Sequence, residues 1–121
     1  MIAVEGQTIE VRAKQVYIDG EPWDDPHAHF TSGPPAPGAP AARGVSPCGS
    51  LDSGRGDDCG PFPVPPGHVF VLGDNREQSY DSRNWGAVPV GDIKGRVLIL
   101  YWSWDAASGK VRWERIGQPV Y

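Results

Sequence analysis

The sequence predicts an all-β fold: a small antiparallel sheet or barrel-like domain carrying a long Pro/Gly-rich insertion. Three observations lead there. The 121 residues include 16 Gly and 13 Pro, a composition that favours strands and turns over long helices. The longest apolar run, Val97 to Trp102, is only strand length. Residues 7 to 19 place Ile9 and Val11, then Val16 and Ile18, at period two, the pattern of half-buried strands. A chain of this length supports one domain with a modest core.

The elements follow in order. Residues 7 to 19 read as a hairpin that turns at Ala13-Lys14 and closes at Asp19-Gly20. Residues 24 to 66 read as a flexible insertion. The stretch 33 to 67 holds nine of the thirteen prolines and eight of the sixteen glycines, too little side chain to offset chain entropy. His68-Val69-Phe70-Val71-Leu72 is a buried strand, and a polar run starts where it ends. Together with that strand at 68 to 72, strands at 96 to 104 and 111 to 116, the latter two joined by Ala106-Ala107-Ser108-Gly109, are expected to form the main body of the sheet. Val97, Ile99 and Tyr101 alternate with Leu98, Leu100 and Trp102, so both faces are apolar, as in a strand covered on both sides.

Charge and composition exclude several functions. A formal charge of −4 and the lack of a basic patch with interleaved aromatics argue against nucleic acid and anionic lipid. No 18-residue apolar stretch and no signal-peptide pattern is present. Cys48 and Cys59 fall in the insertion and suit either a disulfide or free thiols, since a structural zinc needs four ligands. His27 and His29, beside Pro26 and the acidic pair Asp24-Asp25, read as a solvated turn, so no metal site is expected. Trp85, Trp102, Trp104 and Trp113 read as core and sheet-surface aromatics, and Trp23, next to Pro22 and the acidic pair, is the one of the five tryptophans expected to be exposed.

The polar run Gly73-Asp74-Asn75-Arg76-Glu77-Gln78-Ser79-Tyr80-Asp81-Ser82-Arg83-Asn84-Trp85-Gly86 carries the chemistry. Its Asp, Asn and Ser can bond their own backbone, and Asp81 and Arg83 are spaced for a two-pronged ion pair. Composition alone leaves two readings open, a solvated turn and a rigid loop that holds a reacting side chain. The string G-D-N-R-x-x-S-x-D-S-R-x-W-G, with V-P-P-G from Val64 to Gly67 and V-P-x-x-x-I-x-G-R-V from Val88 to Val97, resembles the bacterial type I signal peptidases. The resemblance continues through Leu98 to Asp105 and Arg112 to Gly117. At the amino end it includes Ala3 to Val11, which resembles the stretch just after that family's catalytic lysine. Only residues 24 to 63 fall outside it.

What the resemblance implies is specific. The family uses a serine nucleophile with a lysine amine as general base, and the amine acts only when burial lowers its pKa from roughly 10.4. Ser79 would aim that amine, Asp81 and Arg83 would brace the loop, and Asp74 would pair with an arginine next to the lysine. Asn75, Arg76 and Ser82 belong to the same matched string and count as supporting residues. The family's S-M-x-P and K-R segments are absent here, and Lys14, Lys94 and Lys110 sit in turn-like, solvated settings. Residues 1 to 121 are therefore expected to be one β-rich peptidase domain truncated at its amino end and inactive alone. Within the whole enzyme it would cleave signal peptides from exported pre-proteins, on the extracytoplasmic side of a membrane reached through an amino-terminal anchor, with no cofactor. The exported setting favours a Cys48–Cys59 disulfide. Exposed indoles would suit a bilayer interface. A reading of another class also stands: a non-catalytic β-domain that binds extended peptides or partner proteins.

Overall fold

The structure is a computed structural model and describes residues 1–33, 35, 48 and 58–120. Its described strands are β1 (Ala3–Val4), β2 (Thr8–Arg12), β3 (Gln15–Ile18), β4 (Glu21–Trp23), β5 (Cys59–Pro63), β6 (His68–Phe70), β7 (Val88–Pro89), β8 (Trp104–Asp105) and β9 (Lys110–Val111), with a short α-helix, α1 (Ser82–Trp85), and single 3-10 turns at Val90–Asp92 and Trp113–Arg115. All pairings between strands are antiparallel. The larger sheet has the order β4-β3-β2-β5, a second has β1-β6-β7, and β8 pairs with β9.

The predicted hairpin is the centre of the larger sheet. Ile9 lies opposite Ile18 and Val11 opposite Val16, so the period-two apolar residues share one face. Ala13 and Lys14 both adopt positive φ, 44° and 73°, the requirement of a two-residue turn whose twist matches its strands. Non-glycine residues pay for that conformation, and tertiary contacts hold it: the Ala13 amide donates to Asp58 Oδ1 at 2.9 Å. On the outer face Glu10 takes a two-pronged bond from Arg12, whose guanidinium lies 4.5 Å from the Tyr17 ring centroid. At Gly60 a Cβ would lie 2.7 Å from the Ile9 carbonyl oxygen, so β5 can approach β2 only through a glycine. The register between the two strands shifts at this point.

The core gathers Ala3, Ile9, Val11, Val16, Cys48, Cys59, Val64, Phe70 and Leu72, with Phe62 against Phe70 at 5.6 Å between ring centroids. These contacts join the two larger sheets. Cys48 and Cys59 form a disulfide inside this cluster, with Cα atoms 4.9 Å apart.

Three expectations are corrected. Residues 24–33 and 58–66, assigned above to the flexible insertion, are held in the fold. β5 pairs with β2, the Val64 amide bonds the Gln7 carbonyl, and 25–32 dock on the polar loop. Pro and Gly content measures the lack of apolar side chain, and these segments are held by backbone and polar contacts instead. The remainder of that insertion, 34, 36–47 and 49–57, lies outside the described residues. Second, the carboxy-terminal segment is not the main body of the sheet. Among the described residues, 98 to 100 pair only with 117–120, through Leu100 N to Gln118 O (2.9 Å) and Val120 N to Leu98 O (3.0 Å). Leu98 is 71% exposed and Tyr101 86%. Apolar residues on both faces signal a strand able to be covered twice, and among the described residues no layer covers this one. Third, all five tryptophans are exposed, Trp113 more so than Trp23, because four of them fall on this uncovered ribbon or on the rim of α1.

Candidate active site

The polar loop leaves β6 through Val71 and buried Leu72 and returns at α1. Ser82 ties the two ends together: its fully buried hydroxyl accepts the Val71 amide at 3.0 Å, and its own amide donates to the Val71 carbonyl at 3.2 Å. Residues 73–81 are thus a closed loop on a fixed base.

Asp81 organises the inside of that loop. As the residue before α1 it accepts the Arg83 amide at 3.1 Å while Asn84 Oδ1 accepts the Asp81 amide, a reciprocal cap. The same carboxylate takes Arg83 Nε and a terminal guanidinium nitrogen, each at 2.9 Å, and the Gly73 amide at 3.0 Å, and the Ser79 hydroxyl stands close enough to stabilise its charge. Burial pushes the Asp81 carboxyl up, but the Arg83 bonds, the Gly73 amide and the Ser79 hydroxyl together outweigh it. The group therefore lies below the usual aspartate range. Asp81 and Arg83 are both buried, so the pair is shielded from water on a site that needs fixed geometry.

Ser79 is half-buried and lies over Gly73. A Cβ on Gly73 would stand 2.1 Å from Ser79 Oγ and 2.5 Å from its Cβ, so only glycine admits the serine there. The hydroxyl is therefore pinned between a bare backbone and a carboxylate. Arg76, 4% exposed, bonds the Gly73 carbonyl through Nε at 3.0 Å and pairs with the Asp25 carboxylate, while its own carbonyl accepts Arg83 at 2.6 Å. Asn75 Nδ2 donates to Gln78 Oε1 at 3.2 Å, and Asn75 Oδ1 is buried with no partner among the described residues. Asp74 is exposed and borders a cavity of about 320 Å³ with Met1, Ile2, Asp25, His27 and Leu72.

The structure thus brings Ser79, Arg76, Asp81, Ser82 and Arg83 into one network and leaves Asp74 outside it. Two partners escaped the sequence reading. Asp25 pairs with Arg76 across 51 positions, and Glu77 receives Lys14 Nζ at 2.8 Å across 63. Glu77 also accepts the amides and hydroxyls of Thr31 and Ser32. Lys14, Ser32 and Thr31 hold its carboxyl far below the usual glutamate range. The only signal for these pairs was their charge, because their partners lie far along the chain. Lys14 is accordingly not a solvated turn residue, since its side chain is 17% exposed. It does not serve Ser79: its Nζ is held by the Glu77 carboxylate at 2.8 Å and by Ser32 Oγ at 2.5 Å. Lys94 and Lys110 are exposed, and among the described residues no lysine bonds Ser79.

The described residues thus form a β-rich domain that presents Ser79 on a loop centred on a buried carboxylate. The family profile described as signal peptidase, peptidase S26 matches residues 1–102. The chain belongs to that family. It is 35% identical to a probable signal peptidase I-1 of Synechocystis sp. over 121 residues, all of this chain and 47% of that protein. It is 47% identical over 58 residues to a probable thylakoidal processing peptidase 2, chloroplastic, of Arabidopsis thaliana, 48% of this chain and 16% of that one. A crystal structure of signal peptidase I from Enterococcus faecalis V583 superposes with a TM-score of 0.52 at 30% identity, covering 80% of this chain and 78% of that one. The chain spans less than half the length of the Synechocystis and Arabidopsis relatives.

Proposed function

We propose that this chain is the β-rich portion of a signal peptidase I, a membrane-associated serine endopeptidase that removes signal peptides from exported pre-proteins with a Ser/Lys dyad. The observation that carries the reading is the Ser79 hydroxyl, fixed between Gly73 and the Asp81 carboxylate. An amine serves as base only when neutral and aimed, and a hydroxyl whose proton goes to a buried carboxylate keeps its lone pairs free to receive it. Ser79 is the positioning group for that lysine. Asp81, Arg83, Arg76 and Ser82 hold the hydroxyl in place, and Asp74, beside the first residues of the chain, is left to pair with the arginine adjoining the lysine.

The extended substrate is recognised by backbone pairing along a sheet edge, with shallow pockets for small side chains. The exposed ribbon supports contact with a bilayer surface through the indoles of Trp102, Trp104 and Trp113. The catalytic face then works on the extracytoplasmic side.

The test is cleavage of a pre-protein by the complete gene product carrying the serine and lysine segments. Turnover is expected there and not in the 121 residues alone, and Ser79→Ala is expected to cut it with folding intact. Cleavage that survives Ser79→Ala unchanged refutes the role given to Ser79, and cleavage by the 121 residues alone refutes the missing dyad.

A further inference from the structure

Residues 25 to 32 follow β4 and lie along the polar loop. His29 makes a two-bond bridge with it: its amide donates to the Asp74 carbonyl at 2.7 Å and its carbonyl accepts the Arg76 amide at 3.0 Å. On one side of that bridge Asp25 pairs with Arg76, and on the other Thr31 and Ser32 bond Glu77. Among the described residues, the hydrogen bonds that tie 74–78 to chain outside the loop and α1 all run to this segment or to Lys14.

We propose that residues 25–32 are a strap that sets where the Ser79 hydroxyl sits, with Asp25 and Glu77 as its positioning residues. For what Ser79 then does, the inference rests on the reading given above, whereas the contacts stand without it. Two routes lead from the strap to the serine. Asp25 neutralises the buried Arg76 guanidinium, which grips the Gly73 carbonyl, and Gly73 is the surface on which Ser79 rests. Arg76 also offers its carbonyl to Arg83, the partner of the carboxylate that takes the Ser79 hydroxyl. Glu77 stands two residues before Ser79 and anchors the backbone leading to it, through two amides, two hydroxyls and the Lys14 ammonium. Neither acid reaches Ser79 itself. The Ser82 clamp and the Asp81, Arg76 and Arg83 bonds brace the loop from within, and the strap ties 74–77 to chain outside it.

The experiment compares Glu77→Gln, Asp25→Asn and Thr31→Ala in the complete gene product, by pre-protein cleavage and by amide hydrogen exchange. The expected result is a fall in kcat of about tenfold with KM changed by less than about twofold, because misplacing an aiming group by a fraction of an ångström acts on the reacting geometry and not on substrate binding. Amides of 76–80 are expected to exchange about tenfold faster while those of Ile9 and Val11 keep their protection, which separates a loosened loop from a damaged fold. Partial recovery of kcat in Glu77→Asp supports the carboxylate. Folded variants with unchanged kcat, or with unchanged exchange at 76–80, overturn the strap. If the wild-type protein does not cleave, that result counts against the peptidase reading, and the exchange comparison alone decides the strap. If Asp25→Asn does not fold, Thr31→Ala, which removes one hydroxyl from an exposed residue, decides it.

Discussion

Gly73→Ala is the sharpest perturbation of this site. The new methyl would stand 2.1 Å from Ser79 Oγ and 2.5 Å from Ser79 Cβ, whereas ordinary contact begins at 3.4 Å. Gly73 does not occupy the left-handed region, so the cost is collision and not backbone strain. Ser79 must retreat by more than about 1 Å, and the hydrogen bond to Asp81 goes with it. Overpacking of this kind costs about 1–3 kcal/mol. A displacement of about 1 Å in an aiming group costs on the order of a hundredfold in turnover. The two effects separate in a cycle with Ser79→Gly, which removes the colliding atoms. Gly73→Ala in that background is expected to regain most of its stability and none of its turnover. Ser79→Ala retains the Cβ at 2.5 Å and rescues neither. Denaturant melts give the stability half and pre-protein cleavage by the complete gene product gives the other. A Gly73→Ala protein with wild-type midpoint and wild-type turnover refutes the pinned geometry.

Arg83→Lys keeps the charge but loses the two-pronged grip on Asp81, and is expected to cost about 2 kcal/mol in urea unfolding, because a buried carboxylate is left half-paired. The pH dependence has a definite sign. The Asp81 carboxyl is lowered in the folded state, so its stabilising contribution is complete above its unfolded value of about 3.9 and is lost as pH falls below that through the folded value. Asp81→Asn should therefore flatten the acid side of a melting-temperature profile, and an unchanged slope below about pH 4 would contradict this. Reduction of Cys48–Cys59, which closes a ring with a sequence separation of 11, is expected to cost about 3 kcal/mol, read as a shift in unfolding midpoint with and without reductant. Ala13→Asn, at a φ of 44° that asparagine tolerates better, should stabilise the hairpin by about 0.5 kcal/mol in thermal unfolding, provided the Asp58 bond to its amide persists.

The parts of this molecule that were legible in the sequence are those whose partners lie close along the chain. Ile9, Val11, Val16 and Ile18 form a hairpin because alternation and a two-residue turn are local properties, and Asp81 meets Arg83 because two residues separate them. The string from Gly73 to Gly86 also pointed to the family, since a rigid polar loop needs particular residues at particular offsets. The error lay in equating apolar with buried. Leu98 and Tyr101 are as hydrophobic as Ile9 and Phe70, yet the first pair faces outward and the second is fully buried.

By itself the sequence determined a β-rich chain, its first hairpin and the Asp81–Arg83 pair. Tertiary structure alone decided that Asp25 would neutralise Arg76 across 51 positions, that Lys14 would reach Glu77 across 63, and that residues 25–32 would lie along the polar loop. Propensity, alternation and short-range hydrogen bonds are set by neighbours in the chain, whereas burial and long-range ion pairing depend on which surfaces arrive from elsewhere when the chain closes on itself.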